Sequence, residues 1–472
     1  MITAWQQRLW LSTILLFAVA ACTGDKAVPL TTVGTPGWST DVIGVDEVHL
    51  SVNYWIDREA EPDAVLAEQS DIEVFVRNAF EVDPSMVDLA TYPETLPGTR
   101  VAQIIRSLSK PSSYPLSFRD GGLVSDDDYA RYTAGIDLPR VAETVDVRFG
   151  MVVERADMRT WPTSDIVYKS VETIDLDRFQ ENGLFPADIV VVLHESADGR
   201  WYFVQSYNYA AWVRRDSIAI GNREEILEFQ HAEPFLVIAG SRVTTNFSPL
   251  APAVSELKLE MGTRLPLVDP DTVNHNVDGQ NPFASYIVRL PTRTVNGALE
   301  IRNALIARSQ DVRVGYMPYT RRNVLHQAFK FLGERYGWGH SYNARDCTGL
   351  VQEVYKTFGF ALPRNSGQQG SSPIGENIRF SPDAPAEEKL ATLAGAEVGD
   401  LLYSKGHVMM YLGMVDGEPY VIHDLSGSGW TDTDGNFQQG VLNGVSVTPL
   451  RRVNTSPEAT YFEEMYAIKR LR

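Results

Sequence analysis

NARDCTGLVQEVY, residues 343 to 355, decides how the rest of the chain is read. Leu350, Val351, Val354, Tyr355 and, just beyond, Phe358 recur at helical spacing. Gly359 ends the run and Pro363 forbids its return. Asp346 is a natural N-cap for this helix, so Cys347 falls in the first turn. The positive end of the helix dipole favours an anion there, which predicts a stabilised thiolate and a lowered thiol pKa. The competing reading is a small apolar residue buried in a core. The chain has two cysteines, Cys22 and Cys347.

A nucleophilic cysteine needs an imidazole base and a third polar group to orient that base. From Gly399 onward the chain reads as antiparallel strands: DLLYS, HVMMYLG, PYVIHD, VSVTPL and FEEMYAIKR. Two of them carry histidines, His407 and His423. One histidine in an apolar strand is ordinarily a satisfied core residue. Two on consecutive strands, downstream of a helix-start cysteine, form a pattern. The link between those strands holds Asp416-Gly417, a two-residue hairpin signal. That loop alone would put the two histidines on opposite faces. A shared site therefore predicts a β-bulge or a three-residue loop. Ahead of the cysteine, Thr320 is placed to cap a helix over 321–336, with Val324, Leu325, Ala328, Phe329, Leu332 and Tyr336 as its apolar stripe.

Residues 146 to 317 have a different texture. VDVRFGMVVER, ADIVVVLHES, RWYFVQSY and AAWVRRDSIAI alternate apolar and polar positions and are split by turn signals such as Asp198-Gly199. With Trp201 opening one strand and Trp212-Val213 closing the next, this stretch resembles a bacterial SH3-like module. A second β-rich stretch follows, with a longer insertion around 265 to 284. Two small barrels, 146–228 and 229–317, are expected. Residues 41–145 offer helical runs at Ile72 to Phe80 and Val101 to Leu108, broken by Pro111, Pro115 and Pro139, and no constellation of chemistry. They are expected to form a stabilising N-terminal domain.

The first 22 residues read as an export signal. Arg8 precedes an apolar run from Leu9 to Ala21, too short for a comfortable membrane span. Val19-Ala20-Ala21-Cys22 resembles a bacterial lipobox, in which the cysteine is lipidated; an ordinary signal peptide with an incidental cysteine is the other reading. Residues 23–40 then form a tether. A lipidated Cys22 leaves Cys347 without a disulfide partner. By analogy with known lipoproteins, Thr23 in place of aspartate favours the outer membrane, facing the periplasm. A net charge of −19 argues against nucleic acid as a partner. At 472 residues the chain exceeds what one core holds, so roughly two to four domains are expected. Its oligomeric state is not legible.

Taken together, DCTGL at a helix start, then GDLLYSKGHVMMYLG, then VIH, resembles the NlpC-type cell-wall cysteine peptidases over residues 318–472. The resemblance implies an α+β, multidomain fold: a mixed N-terminal domain, two SH3-like barrels and a papain-like α+β domain. It implies Cys347 as nucleophile, His407 as base and His423 as the orienting residue. It places Trp338, Asp346, Thr348, Asn365, Ser366 and, from the first barrel, Tyr209 around the substrate. Simpler readings stay open: helix packing for Trp338, a barrel-surface aromatic for Tyr209, turn chemistry for Asn365 and Ser366. His340, in a loop, is assigned no role.

Family members of this subset hydrolyse the γ-D-glutamyl to diaminopimelate bond of peptidoglycan stem peptides, some requiring a free N-terminal L-Ala. No metal or organic cofactor is implied. The family usually has aspartate at the Asn365 position to help receive the peptide ammonium, and asparagine cannot form that charge-assisted bond. Either Asp346 suffices or the free-amine requirement is relaxed. A catalytically inactive wall-binding lipoprotein, or an amidase or acyltransferase, are the alternatives.

Overall fold

Asp346 takes an extended backbone (φ −102°, ψ −177°), and its side chain accepts a hydrogen bond from Gly349 N, starting the helix Cys347–Lys356. The computed structural model describes residues 38–472 apart from Val171 and Thr433. The signal segment, Cys22 and nearly all of the tether lie outside the described residues. Everything below belongs to the unit from Thr40 to Arg472.

Helix Cys347–Lys356 packs on a six-stranded antiparallel sheet. Its order is Glu376–Arg379, Ala467–Arg470, Leu401–Ser404, His407–Val415, Glu418–Leu425, Gly444–Pro449. The period of two sorts the strands cleanly. Leu401, Tyr403, Val408, Met410, Ile422, Val445 and Val447 share a core with Leu350, Val351 and Val354 of the helix. Leu402, Met409, Tyr411, Val421 and Ile468 share another with Leu393, Tyr461, Phe462 and Met465. Each fully buried aliphatic side chain stabilises the fold by roughly 1.5–3 kcal/mol.

The histidine hairpin contains the expected bulge. Asp416 (φ 50°) and Gly417 (φ 80°) make the two-residue turn. Val415 pairs with Glu418 and Gly413 with Tyr420, but Tyr411 pairs with Val421. Leu412 is the extra residue. It shifts the register by one, so His407 and His423 lie on the same face.

The preceding helix is shorter than its apolar stripe predicts. Thr320 does cap it, accepting from Asn323 N, but it spans Arg321–Phe329. Gly333 turns through φ 81°, and Tyr336 instead forms an isolated parallel bridge with Arg345. The stripe reflects burial in the same core, which a turn satisfies as well as a helix does.

Seven strands between Arg148 and Ile220 form one sheet, ending on Gln180–Leu184. Trp212 is fully buried there and meets the edge of Phe203 at 5.3 Å between ring centroids. The strands from Phe235 to Val314 form three short sheets, and their insertion carries 3-10 turns at Pro270–Val273 and Pro282–Ala284. Residues 41–145 contain helices at Gln69–Val82 and Gly98–Leu108. A further helix, Asp126–Ile136, is not anticipated from DDDYARYTAGI and is fixed by the Ser125–Asp128 capping box. This segment divides between two cores. Trp55, Ile56, Ile72, Ala79 and Met86 join the core under the cysteine helix. Leu89, Val101, Ile105, Tyr132 and Ile136 join that of the β-modules.

Candidate active site

His407 and His423 are joined directly: Nε2 of His407 lies 2.9 Å from Nδ1 of His423. His423 Nε2 in turn lies 2.9 Å from Thr448 Oγ1. For His407 Nδ1 to serve as the base, its Nε2 carries the hydrogen and donates to His423 Nδ1. His423 Nε2–H then donates to the Thr448 hydroxyl. One line of hydrogen bonds thus couples the two tautomers, so the hydrogen position on one ring sets that on the other. The Tyr461 ring lies against His407, 4.7 Å between centroids, and edge-on to His423 at 5.9 Å. Cys347 is buried beside the start of the His407 strand, where the Val408 backbone N–H donates toward its sulfur.

The expected low thiol pKa is not what this environment produces. Burial pushes the Cys347 thiol up to about 12, with the Asp346 charge adding to it, against the Val408 N–H. Burial also brings His407 down to about 3. At neutral pH the resting pair is a neutral thiol and a neutral imidazole. The helix dipole is outweighed by desolvation and by an adjacent carboxylate.

That carboxylate is fully occupied. Asp346 Oδ2 pairs with the Arg364 guanidinium at 2.6 Å, and Oδ1 accepts from the Thr348 hydroxyl and Gly349 N, both at 2.9 Å. Gly339 N also donates to Oδ2, at 3.1 Å. Burial would raise the Asp346 pKa, but Arg364 and the other donors hold it well below the usual carboxylate range. An internal guanidinium thus neutralises Asp346. Thr348 is likewise engaged, its hydroxyl accepting from Arg364. Both make contacts at the helix start.

Asn365 is exposed and N-caps helix Ser366–Ser371, its side-chain amide donating to Gln368 at 3.0 Å. This is the turn chemistry that its place after Pro363 allows. Ser366 is half-buried at the first position of that helix. Trp338 donates its indole N–H to Gln180 O at 3.0 Å and lies under the Arg178 guanidinium. Tyr209 reaches from the first β-module, donating to Glu181 Oε2 at 2.5 Å. Glu181, Arg364, Thr448 and Tyr461 were not anticipated. Arg364 adjoins Asn365 in PRNSG, but its partner is eighteen residues away. Glu181 sits in QENGL, where nothing local says that the strand borders another module.

Two measurable consequences follow from burial at this site. Thr448→Val leaves the His423 N–H without its acceptor, a loss of roughly 1–3 kcal/mol for a buried donor. A drop in kcat of about tenfold is expected, with KM unchanged; an unaltered kcat would remove Thr448 from the relay. The second concerns acid. His407 is held at about 3 and His340, also by burial, at about 4, against 6.5 in an unfolded chain. Between pH 6.5 and those values the unfolded state takes up protons that the folded state refuses, so stability falls as pH drops through that window. At pH 4.5 this is about 2–3 kcal/mol for His407. In urea unfolding, His407→Gln should lose less stability than wild type between pH 7 and 4.5 by about that amount. Equal acid sensitivity would contradict a buried neutral His407.

Residues 333–445 match the NlpC/P60 family and residues 167–214 match an SH3 domain of the SH3b1 type. The chain carries an NlpC/P60 domain preceded by an SH3b domain, in a multidomain fold of mixed helix and strand. It is 28% identical over 193 residues to a gamma-D-glutamyl-L-lysine dipeptidyl-peptidase of Bacillus cereus, covering 38% of this chain and 48% of that protein. It thus spans about half the length of that curated relative. A solved NlpC/P60 endopeptidase from Photobacterium damselae subsp. piscicida superposes with a TM-score of 0.69 at 16% identity, over 89% of this chain and 96% of that one. That likeness is one of fold. An NlpC/P60 family protein from Bacillus cereus gives a TM-score of 0.42 at 22% identity, over 62% and 82%.

Proposed function

We propose that this chain is a cell-wall cysteine peptidase that hydrolyses the γ-D-glutamyl to diaminopimelate bond of peptidoglycan stem peptides. The observation that carries the reading is the His407–His423 hydrogen bond, produced by the Leu412 bulge, beside a cysteine at a helix start. The named activity of the Bacillus cereus relative supports the choice of a γ-D-glutamyl bond.

The reaction is acyl transfer. Cys347 Sγ attacks the γ-glutamyl carbonyl carbon as its proton passes to His407 Nδ1. The C–N bond breaks and His407 returns the proton to the leaving amine. Water then hydrolyses the thioester, giving its proton to His407 and restoring the thiol. His423 and Thr448 hold the His407 ring and stabilise the imidazolium between steps. The Cys347 backbone N–H, at the helix start, is placed to receive the oxyanion.

With Asp346 paired to Arg364 and Asn365 acting as a cap, Glu181, which accepts from the Thr160 hydroxyl through Oε1 and from Tyr209 through Oε2, is assigned the role of receiving a free N-terminal L-Ala. A preference for such peptides rests on this pair. The proposal extends to the envelope: a lipid on Cys22 holds the enzyme at the membrane, facing the periplasm, with stem peptides as its partner. Mass spectrometry of digests of L-Ala-γ-D-Glu-diaminopimelate and of its N-acetylated form tests the reading. Release of L-Ala-γ-D-Glu, faster from the free amine, is expected. Cleavage at another bond, or none, overturns it.

A further inference from the structure

The loop ahead of the nucleophile has an unusual backbone. Gly339 (φ 57°), His340 (66°), Tyr342 (60°) and Asn343 (57°) all lie in the left-handed region. For the three that are not glycine this costs roughly 1–3 kcal/mol each and persists only where the surroundings impose it. Bonds within the segment, such as His340 N to Gly337 O at 3.0 Å, supply part of the restraint.

The rest comes from the first β-module. Arg155 Nη2 donates to both His340 O and Ala344 O at 2.8 Å, closing the loop like a clasp. Its Nη1 pairs with Glu260, which comes from the second β-rich stretch. Gln180 donates to Gly339 O at 2.9 Å. A Cβ on Gly183 would come within 2.8 Å of the His340 Cβ, so strand Gln180–Leu184 lies directly on the loop. The same Glu260 pairs with Arg345, fully buried next to the cap residue, and Arg345 pairs with Glu353 on the cysteine helix.

We infer that Arg155 is a positioning residue for Cys347: by bridging the two carbonyls it holds the 338–344 loop in its left-handed course and so sets the Asp346 cap and the direction of the nucleophile. The β-modules are then part of the catalytic scaffold, beyond any role in binding or gating substrate. The catalytic meaning rests on the function proposed above, but the geometry does not.

The test is Arg155→Lys in the full chain. Lysine keeps the positive charge but has a single nitrogen, so it cannot hold Glu260 through one arm and bridge the two carbonyls through the other, as the Arg155 Nη1 and Nη2 do. Three quantities are measured: the iodoacetamide alkylation rate of Cys347, read on its peptide by mass spectrometry; kcat and KM for the stem peptide; and the thermal unfolding midpoint. Alkylation rate and kcat are expected to change, with kcat falling about tenfold or more, while KM and the midpoint stay near wild type. Arg321→Lys, at a partly buried ion pair with Glu59 and Glu397, should leave all of them unchanged. Wild-type alkylation and kcat in Arg155→Lys would overturn the inference. Altered alkylation, together with a wild-type chain that cleaves no γ-glutamyl peptide, would keep the positioning role and overturn the proposed function instead.

Discussion

Cys347→Ala is expected to reduce stem-peptide cleavage by at least about 10⁴-fold, because removing the nucleophile of a triad removes the covalent route. The substitution takes one sulfur from a buried position and leaves the helix cap, the His407–His423 bond and both β-modules in place. Folding and sedimentation with purified peptidoglycan should match wild type. The contrast separates an enzyme from a wall-binding protein built on the same fold. If the alanine variant cleaves at even a hundredth of the wild-type rate, another group is the nucleophile. Since the resting pair is neutral, proton transfer to His407 accompanies attack. His407→Ala should therefore be almost as inactive as Cys347→Ala, and the double variant no worse than either.

The second large effect is on stability. Arg364 is 3% exposed and binds Asp346, Thr348 and Asn182 at once. Arg364→Met fills much of the same volume but strands the Asp346 carboxylate without its cation. Breaking one partner of a buried pair costs about 3–5 kcal/mol. Adding Asp346→Asn removes the stranded charge, and the double variant should regain about half of the loss in urea unfolding. KM provides a second check. Were Asp346 the receiver of a substrate ammonium, freeing it from Arg364 would tighten binding and lower KM. A KM that stays level or rises, with a steep loss of stability, is expected. A stable Arg364→Met protein with lowered KM would restore Asp346 to the substrate.

Much of the site was legible because its chemistry is local. The Asp346 cap, Cys347 in the first turn and the two strand histidines are read from spacing, since helix and strand periods are fixed by the backbone. The bulge followed from parity: a two-residue turn and a shared face cannot coexist without one extra residue. The register alone could not say that Leu412 is that residue. For Asp346 and Thr348 a motif says which residues stand near a substrate, but not that a buried cation, Arg364, also binds them.

The sequence by itself determined the elements that carry Cys347, His407 and His423, because capping, periodicity and turn chemistry act over a few residues. Only the tertiary structure decided the charge states and the partners. Burial turned an expected thiolate into a thiol near 12, and Arg364 met Asp346 across eighteen residues. Arg155 reached the nucleophile's loop from 185 residues away. Desolvation and long-range ion pairing depend on what surrounds a group in space, and no local stretch of sequence encodes that.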